Sequence, residues 1–496
     1  MEYNYENVSC KCFKQAAVVD RVVEFKLPLA DGASVAKVLS VVADGRAVKV
    51  DAADKSVSFS GRVNFRLVYL SNENVLQSLD YFADFDENIS AEVSSGDVVY
   101  GEAKVLETDL SGEEELKLCS VVRLTVYAAQ NRECKCLTSV PSDCYVECEE
   151  IRLNSLIGSV VKDFSVTDEA FIGGDIEKIL TTDSDVAIYQ LKPTEGGVFV
   201  SGEMCAAVTY LIDDTIKCAR FNVPFSEEVP FKGLNPDDGV TAKAEVKNVR
   251  IIIGGTEGDN NIEIEALIGV RINGYKNCEL SVAVDVFMPN RELVAEKGSI
   301  EMTAFDKALF FDDKFTDSAR ISETRPAVRE ILAVTTASNT VAKVWSENST
   351  VCVEGIVGAT IIYKDENGFN SVKAELPYSV GFSSDMGSDA VLKAEGSVGD
   401  VSAKIKRDRE IELSVKLCFA VEAYTEKTMT YIDSVAEGEE KPLNDSAISV
   451  YIASEGDTIW DVAKAFSASP DKILEQNEID KKLVDGQKIV YFRSLV

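Results

Sequence analysis

The densest group of reactive side chains is the run ECKCLTSVPSDCYVEC, which brings Cys134, Cys136, Cys144 and Cys148 into one short segment. Thiolates hold zinc when four ligands converge, and residues two apart on a strand share a face, so Cys134 and Cys136 could grip one ion. The C-x-C and C-x3-C spacings, however, are not the paired C-x2-C knuckles of zinc ribbons. Small thiols buried on β faces are the simpler reading, and the twelve cysteines are expected to be reduced. Histidine is absent from the whole chain. That removes Ser-His-Asp triads, Cys-His pairs, H-E-x-x-H zinc sites and every imidazole base. No glycine-rich turn continues into G-K-[ST], so no phosphate loop is expected. Carboxylate or lysine chemistry remains, yet no acid pair recurs at matching positions in the repeats described below. The expectation is a protein that is not an enzyme and uses neither cofactor nor metal.

Charge narrows the partners. Acidic residues outnumber basic ones by 84 to 51, a formal charge of −33. Such a field repels phosphate backbones, and no nucleic acid is expected to bind. The densest basic run, Lys404-Ile405-Lys406-Arg407, is followed by Asp408 and Glu410 and reads as a solvated face. The opening MEYNYENVSCKCFKQAAVVD has neither a basic start nor an apolar stretch behind it, so export is not expected. No run approaches 18 apolar residues, which excludes a transmembrane helix. A cytoplasmic location follows as the expectation.

The elements that would position any site are repeated. VSFSGRVNFRLVYL (57–70), VFVSGEMCAAVTYL (198–211) and VCVEGIVGATIIYK (351–364) each put an apolar residue four before a glycine and a tyrosine eight after it. The anchors are Gly61/Tyr69, Gly202/Tyr210 and Gly355/Tyr363. Upstream lie VAKVL (35–39), IEKIL (176–180) and VREIL (328–332), at nearly constant separation from the glycine. Tails YFADF, NVPFS and ELPYS follow, then ELKLCSVVRLTVYA (115–128), IEIEALIGVRINGY (262–275) and IELSVKLCFAVEAY (411–424). Period-2 alternation rich in Val, Ile, Thr and Tyr predicts half-buried antiparallel strands. The fold class expected is mainly β: three tandem sandwich- or barrel-like repeats over 10–160, 165–310 and 315–435, with helix confined to the VAKVL-type segments. The shared glycine predicts a bulge or a close backbone approach, and the shared tyrosine a core aromatic with a tethered hydroxyl. AEGEEKPLNDSA (436–447) reads as an acidic linker.

The last fifty residues carry sharper signals. A short strand is followed by EGDT, then Thr458 and Asp461 in capping-box spacing, then Ile459, Val462, Ala463 and Phe466 at helical spacing. Ser469-Pro470 opens a second helix, and Asp485-Gly486 turns the chain into a last strand. A small β-α-α-β domain over 448–496 is predicted.

Tyr451-Ile452-Ala453-Ser454-Glu455-Gly456-Asp457-Thr458-Ile459-Trp460-Asp461-Val462-Ala463, with Asn477 and Asp485-Gly486-Gln487 behind it, resembles the signature of a LysM domain. The three large copies resemble the SPOCS domain of spore-forming Firmicutes. Together they look like the SipL-like family of spore-coat morphogenesis proteins. A LysM domain binds N-acetylglucosamine glycans through two loops, which here would be Gly456, Asp457, Thr458, Ile459 and Trp460, with Asn477, Glu478, Ile479 and Asp480. In the SipL-like family the module is instead implied to bind the coat-scaffold ATPase in the mother cell, at the outer forespore surface. The resemblance thus implies a non-catalytic adaptor, with a peptidoglycan-binding protein of the spore envelope as the alternative. The acidic loops, with Glu455, Asp457, Glu475, Glu478 and Asp480, suit a partner with a basic patch.

Overall fold

A computed structural model describes residues 3–26, 35–111, 117–256, 259–387, 390–442, 446–477, 479 and 483–493. Six strands form the first repeat: β1 (Asn4–Lys26), β2 (Val35–Ala53), β3 (Ser56–Ser71), β4 (Leu76–Ser90), β5 (Val98–Ser111) and β6 (Lys117–Ser139). The second holds β7 (Tyr145–Gly173), β8 (Lys178–Thr194), β9 (Gly197–Ile212), β10 (Thr215–Pro230), β11 (Gly239–Thr256) and β12 (Asp259–Phe287). The third holds β13 (Arg291–Arg320), β14 (Glu330–Glu347), β15 (Thr350–Asp365), β16 (Gly368–Ser383), β17 (Val391–Arg407) and β18 (Glu410–Glu440). Each repeat makes the same two antiparallel sheets. In the first these run β2-β3-β4 and β1-β6-β5; the others are β8-β9-β10 with β7-β12-β11, and β14-β15-β16 with β13-β18-β17. The fold is therefore mainly β, as the alternation predicts, and each repeat is a sandwich.

The period-2 pattern explains the layering. Ile411, Leu413, Val415, Leu417, Phe419, Val421 and Ala423 of β18 all face one core, against Val351, Val353, Val357 and Ile361 of β15. Each of the Val, Leu, Ile and Phe side chains among them contributes roughly 1.5–3 kcal/mol on burial. The shared glycines sit where a large ring crosses the strand. Gly61 pairs with Phe85, Gly202 with Phe225 and Gly355 with Tyr378, the aromatics of the three tails. A Cβ on Gly202 would lie 2.6 Å from the Phe225 ring and would strike the Ala187 carbonyl; at Gly355 the obstacles are Tyr378 and the Thr340 carbonyl. Opposite each glycine the neighbouring strand bulges, at Ala47/Lys49, Ile188/Gln190 and Val341/Lys343. Tyr69, Tyr210 and Tyr363 are buried core residues. The expected tether on the hydroxyl fails for Tyr363, whose oxygen has no hydrogen-bond partner among the described residues.

None of the VAKVL-type segments is helix: 35–39 is strand, and the other two enter strand at Lys178 and Glu330. A bulge falls in each, with a second at Val35/Lys37 in the first, and the register skips Leu39, Leu180 and Leu332, the residues just after the partners of the shared tyrosines. An extra residue turns its side chain to the opposite face. The three leucines thereby leave their own sandwiches and meet in one apolar cluster with Val68, Leu70, Leu211 and Ile362, drawn from all three repeats.

At the other end the first and sixth strands of every repeat run on as a two-stranded ribbon. The ribbons depart at bulges between Gln15/Ala17, Gly274/Tyr275 and Phe305/Lys307. A lone ribbon is marginal in water. Here the three bury their apolar faces together through Cys134, Cys136, Ile151, Leu153, Val282, Met302 and Met429. Pairing thus divides the chain at 140–144 and 288–290, inside or beside the ribbons, because β7 and β13 each run unbroken across the joins drawn at 160–165 and 310–315. The acidic stretch 436–447 likewise begins as strand. Ala436 and Glu437 pair with Val294 and Leu293, and Arg291 holds Glu437 and Glu440. Residues 443–445 lie outside the described residues.

The C-terminal unit consists of β19 (Ile448–Ile452), α1 (Ile459–Phe466), α2 (Pro470–Asn477) and β20 (Lys488–Phe492), with β19 antiparallel to β20. The Thr458/Asp461 capping box is formed, and Ser467 ends α1 in the left-handed region at φ 50. Ile459, Val462, Ala463, Phe466, Ile473 and Ile489 make its core.

Candidate functional site

The first candidate loop is held by its own side chains. Asp457 accepts hydrogen bonds from the Ser454 N–H at 2.8 Å and the Tyr451 hydroxyl at 2.9 Å, which fixes the turn around Gly456, at φ +93. The Asp457 carboxylate also raises the Tyr451 phenol above its usual range. Thr458 is the N-cap of α1. Glu455, Gly456 and Thr458 are exposed, Asp457 is half-buried, and Ile459 lies in the unit's core.

Trp460 points away from these groups, into the ribbon bundle. It is 8% exposed and meets Phe287 edge-to-face, ring centroids 4.9 Å apart. Its indole N–H donates to Asp285 at 2.8 Å, and the Lys464 ammonium donates to the same oxygen at 2.6 Å. Burial works against the Asp285 carboxylate, but Lys464 and Trp460 outweigh it and hold the group below the usual carboxylate range. Phe287 and the half-buried Tyr145, both at ribbon ends, join the cluster of the C-terminal unit. An indole so enclosed offers no platform for a sugar.

In the second loop, Asn477 is fully engaged. Its amide donates to the Ile473 and Val490 carbonyls at 2.8 and 2.7 Å, and its oxygen accepts from the Val490 N–H at 2.8 Å, tying α2 to β20. Ile479 packs half-buried on the unit's core, beside the cluster that contains Ile459 and Trp460. Glu478 and Asp480 lie outside the described residues.

The sequence reading missed the outer face of the unit. Tyr451 packs toward the core, so the alternation of β19 turns Ile448, Val450 and Ile452 outward, 57%, 58% and 62% exposed. Phe492, paired with Ile448, is 53% exposed. The signal was present as I-S-V-Y-I, but alternation does not say which face is inner. Asp285 and Phe287 had no signal, since they lie far away in sequence.

Cys134, Cys136 and Cys144 are buried and Cys148 is exposed. Cys134 and Cys136 do share a face, with Sγ atoms 3.5 Å apart, inside the apolar contact of the ribbons. Burial pushes the Cys136 thiol up to about 12, so the neutral form persists. Among the described residues no group of three or more Cys, Asp or Glu is placed to hold a metal ion, and no helix is long and apolar enough to cross a membrane. The basic run at 404–407 is spent on exposed pairs, Lys404 with Glu412 and Lys406 with Glu410.

No curated protein and no solved structure matches the chain. Residues 175–253, spanning the β8-β9-β10 sheet and most of β11, match the family described as SipL, SPOCS domain. That match covers well under half of the chain; it supports a SipL-like kinship and a sporulation-related role.

Proposed function

We propose that the chain is a non-catalytic adaptor of spore-envelope assembly, whose C-terminal unit, a LysM-like module, binds a protein: the coat-scaffold ATPase at the forespore surface. The observation that carries this reading is the division of labour within the unit. Its one tryptophan and one face of α1 are turned inward onto the ribbons, while an apolar sheet face of Ile448, Val450, Ile452 and Phe492 is left in solvent. Exposed apolar groups gathered on one face favour association with another protein, whereas glycan binding wants an accessible aromatic platform among hydrogen-bond donors. Exposed Glu455 and Asp485 on the same unit favour a basic rim on the partner.

The test presents the full chain to the scaffold ATPase and, in parallel, to purified peptidoglycan. Capture of the ATPase that is lost in Val450→Lys, with peptidoglycan left unbound, is the expected result. Retention on peptidoglycan without affinity for the ATPase overturns the proposal in favour of a glycan-binding envelope protein.

A further inference from the structure

The three repeats enclose a chamber whose charge is opposite to that of the chain. A cavity of about 560 Å³ lies between β2 and β5 of the first repeat, β11 and β12 of the second, and Glu395 of the third. Its exposed edge at Val48, Lys49 and Glu245 opens it to solvent. A second cavity of about 260 Å³ shares Tyr100, Lys243, Arg271 and Glu395 with the first and is walled by Tyr127, Tyr275 and Tyr424. These last three tyrosines come one from each repeat, each from the sixth strand near the point where its ribbon departs. The larger cavity is lined by six Lys or Arg side chains against three acidic ones, in a protein where acids lead 84 to 51.

Most of those cations are accounted for. Lys49 pairs with Asp51 and Lys247 with Asp163. Lys243 bridges the repeats, taking Glu102 of the first at 2.5 Å and Glu395 of the third. Lys104 and Arg271 are different: neither has a hydrogen bond or ion pair to a described residue. The Arg271 guanidinium lies over the Tyr100 ring, 4.5 Å from its centroid. Stacking occupies the face of a guanidinium and leaves its in-plane N–H donors free, which is the arrangement that grips an oxyanion through two parallel bonds. Arg46 adds a third positive charge; one of its terminal nitrogens donates to the Lys247 carbonyl at 2.7 Å, and its Nε has no partner among the described residues.

We infer that this chamber binds a small polyvalent oxyanion, a polyphosphate or a di- or tricarboxylate, with Arg271 as the fork and Lys104 and Arg46 as the supporting charges. Bound there, the anion would offset the like charge of Arg46, Lys104 and Arg271 and tie the first repeat to the second. The inference is independent of what the C-terminal unit binds.

The experiment titrates the full chain with pyrophosphate and, separately, citrate, by calorimetry and by thermal unfolding, at an ionic strength fixed with sodium chloride. Saturable binding with a rise in Tm is expected for at least one of the two, and the one that binds identifies the source of the oxyanion. Arg271→Gln is expected to weaken it by at least about tenfold. Lys104→Gln, which removes no hydrogen bond or ion pair to a described residue, is expected to weaken it by about three- to tenfold. An effect that rises without saturation, or saturable binding left unchanged in both variants, overturns the inference.

Discussion

Inside each repeat the two sheets meet through apolar side chains; where the repeats meet one another, much of the contact is charged. Val57, Phe59, Val63 and Phe65 in the first sandwich are at most 1% exposed. The junctions instead hold Lys243 between Glu102 and Glu395, and Asp183 and Asp185, which accept the Ala337 and Val398 N–H groups of the third repeat at 2.9 and 2.8 Å. The difference teaches which contacts can yield. A packed core resists any change of volume, whereas a polar junction responds to pH, salt and bound ions.

The largest effect should come from the cores. Gly202→Val drives a side chain into the Phe225 ring and the Ala187 carbonyl, and backbone cannot swing aside. A loss above about 3 kcal/mol in urea unfolding is expected. Gly355→Val should match it, because the Thr340 carbonyl opposes it in the same way. Gly61→Val should cost less, since the nearest obstacles are all atoms of the half-buried Phe85 ring rather than a carbonyl. Equal losses at all three would show that the bulged backbone is not what limits these sites.

Asp285→Ala moves the comparison to the join between the ribbons and the C-terminal unit. It strips the carboxylate from both Trp460 and Lys464, and about 2–3 kcal/mol of docking is expected to go with it. The readout is protease cleavage in 441–447, which should accelerate while the repeats stay protected. Unchanged cleavage would mean that Phe287 and the core of the unit hold the contact alone.

The junction between the second and third repeats should respond to pH. Burial raises Asp183 to about 7 and Asp185 to about 6, although each accepts backbone hydrogen bonds. From about pH 4 to 7 the folded chain keeps protons that the unfolded chain has released, so these groups lose stabilising power as pH rises through that window. Asp183→Asn keeps an oxygen for the Ala337 N–H and removes the charge. It should raise stability by on the order of 2 kcal/mol at pH 8 and change little at pH 4. A gain of equal size at both values would refute the charge argument.

The strands were legible in the sequence because alternation is a local signal, and the shared glycines were legible because a ring across the strand demands them. The VAKVL-type segments misled for a physical reason. A bulge at each leucine breaks the period of two, and in the first segment, where a second bulge lies close by, Val35, Val38 and Leu39 imitate the spacing of a helical face. The joins between repeats were set too far along the chain because the ribbons extend strands past their sandwiches, where composition does not change. For the candidate site, Thr458 and Asp461 announced the cap, but Trp460 gave no hint that its partner would be Asp285. Nothing local in the G-V-R-I-N-G-Y stretch says that Arg271 stacks on a tyrosine of another repeat.

The smallest change in stability is expected where the molecule leaves apolar side chains in water. Val450 and Ile489 lie on adjacent strands of the same two-stranded sheet, on opposite faces. Ile489→Ala removes a fully buried side chain from the core of the C-terminal unit and should cost about 2–4 kcal/mol of that unit's stability. Val450→Thr exchanges a methyl for a hydroxyl at a position 58% exposed and should shift stability by no more than about 0.5 kcal/mol. Hydrogen exchange of the β19–β20 pair measures both. If Val450→Thr proved as costly as the core change, the outer face would already be covered within this chain. If it is neutral, the apolar face contributes nothing to folding and is free to serve the association proposed above.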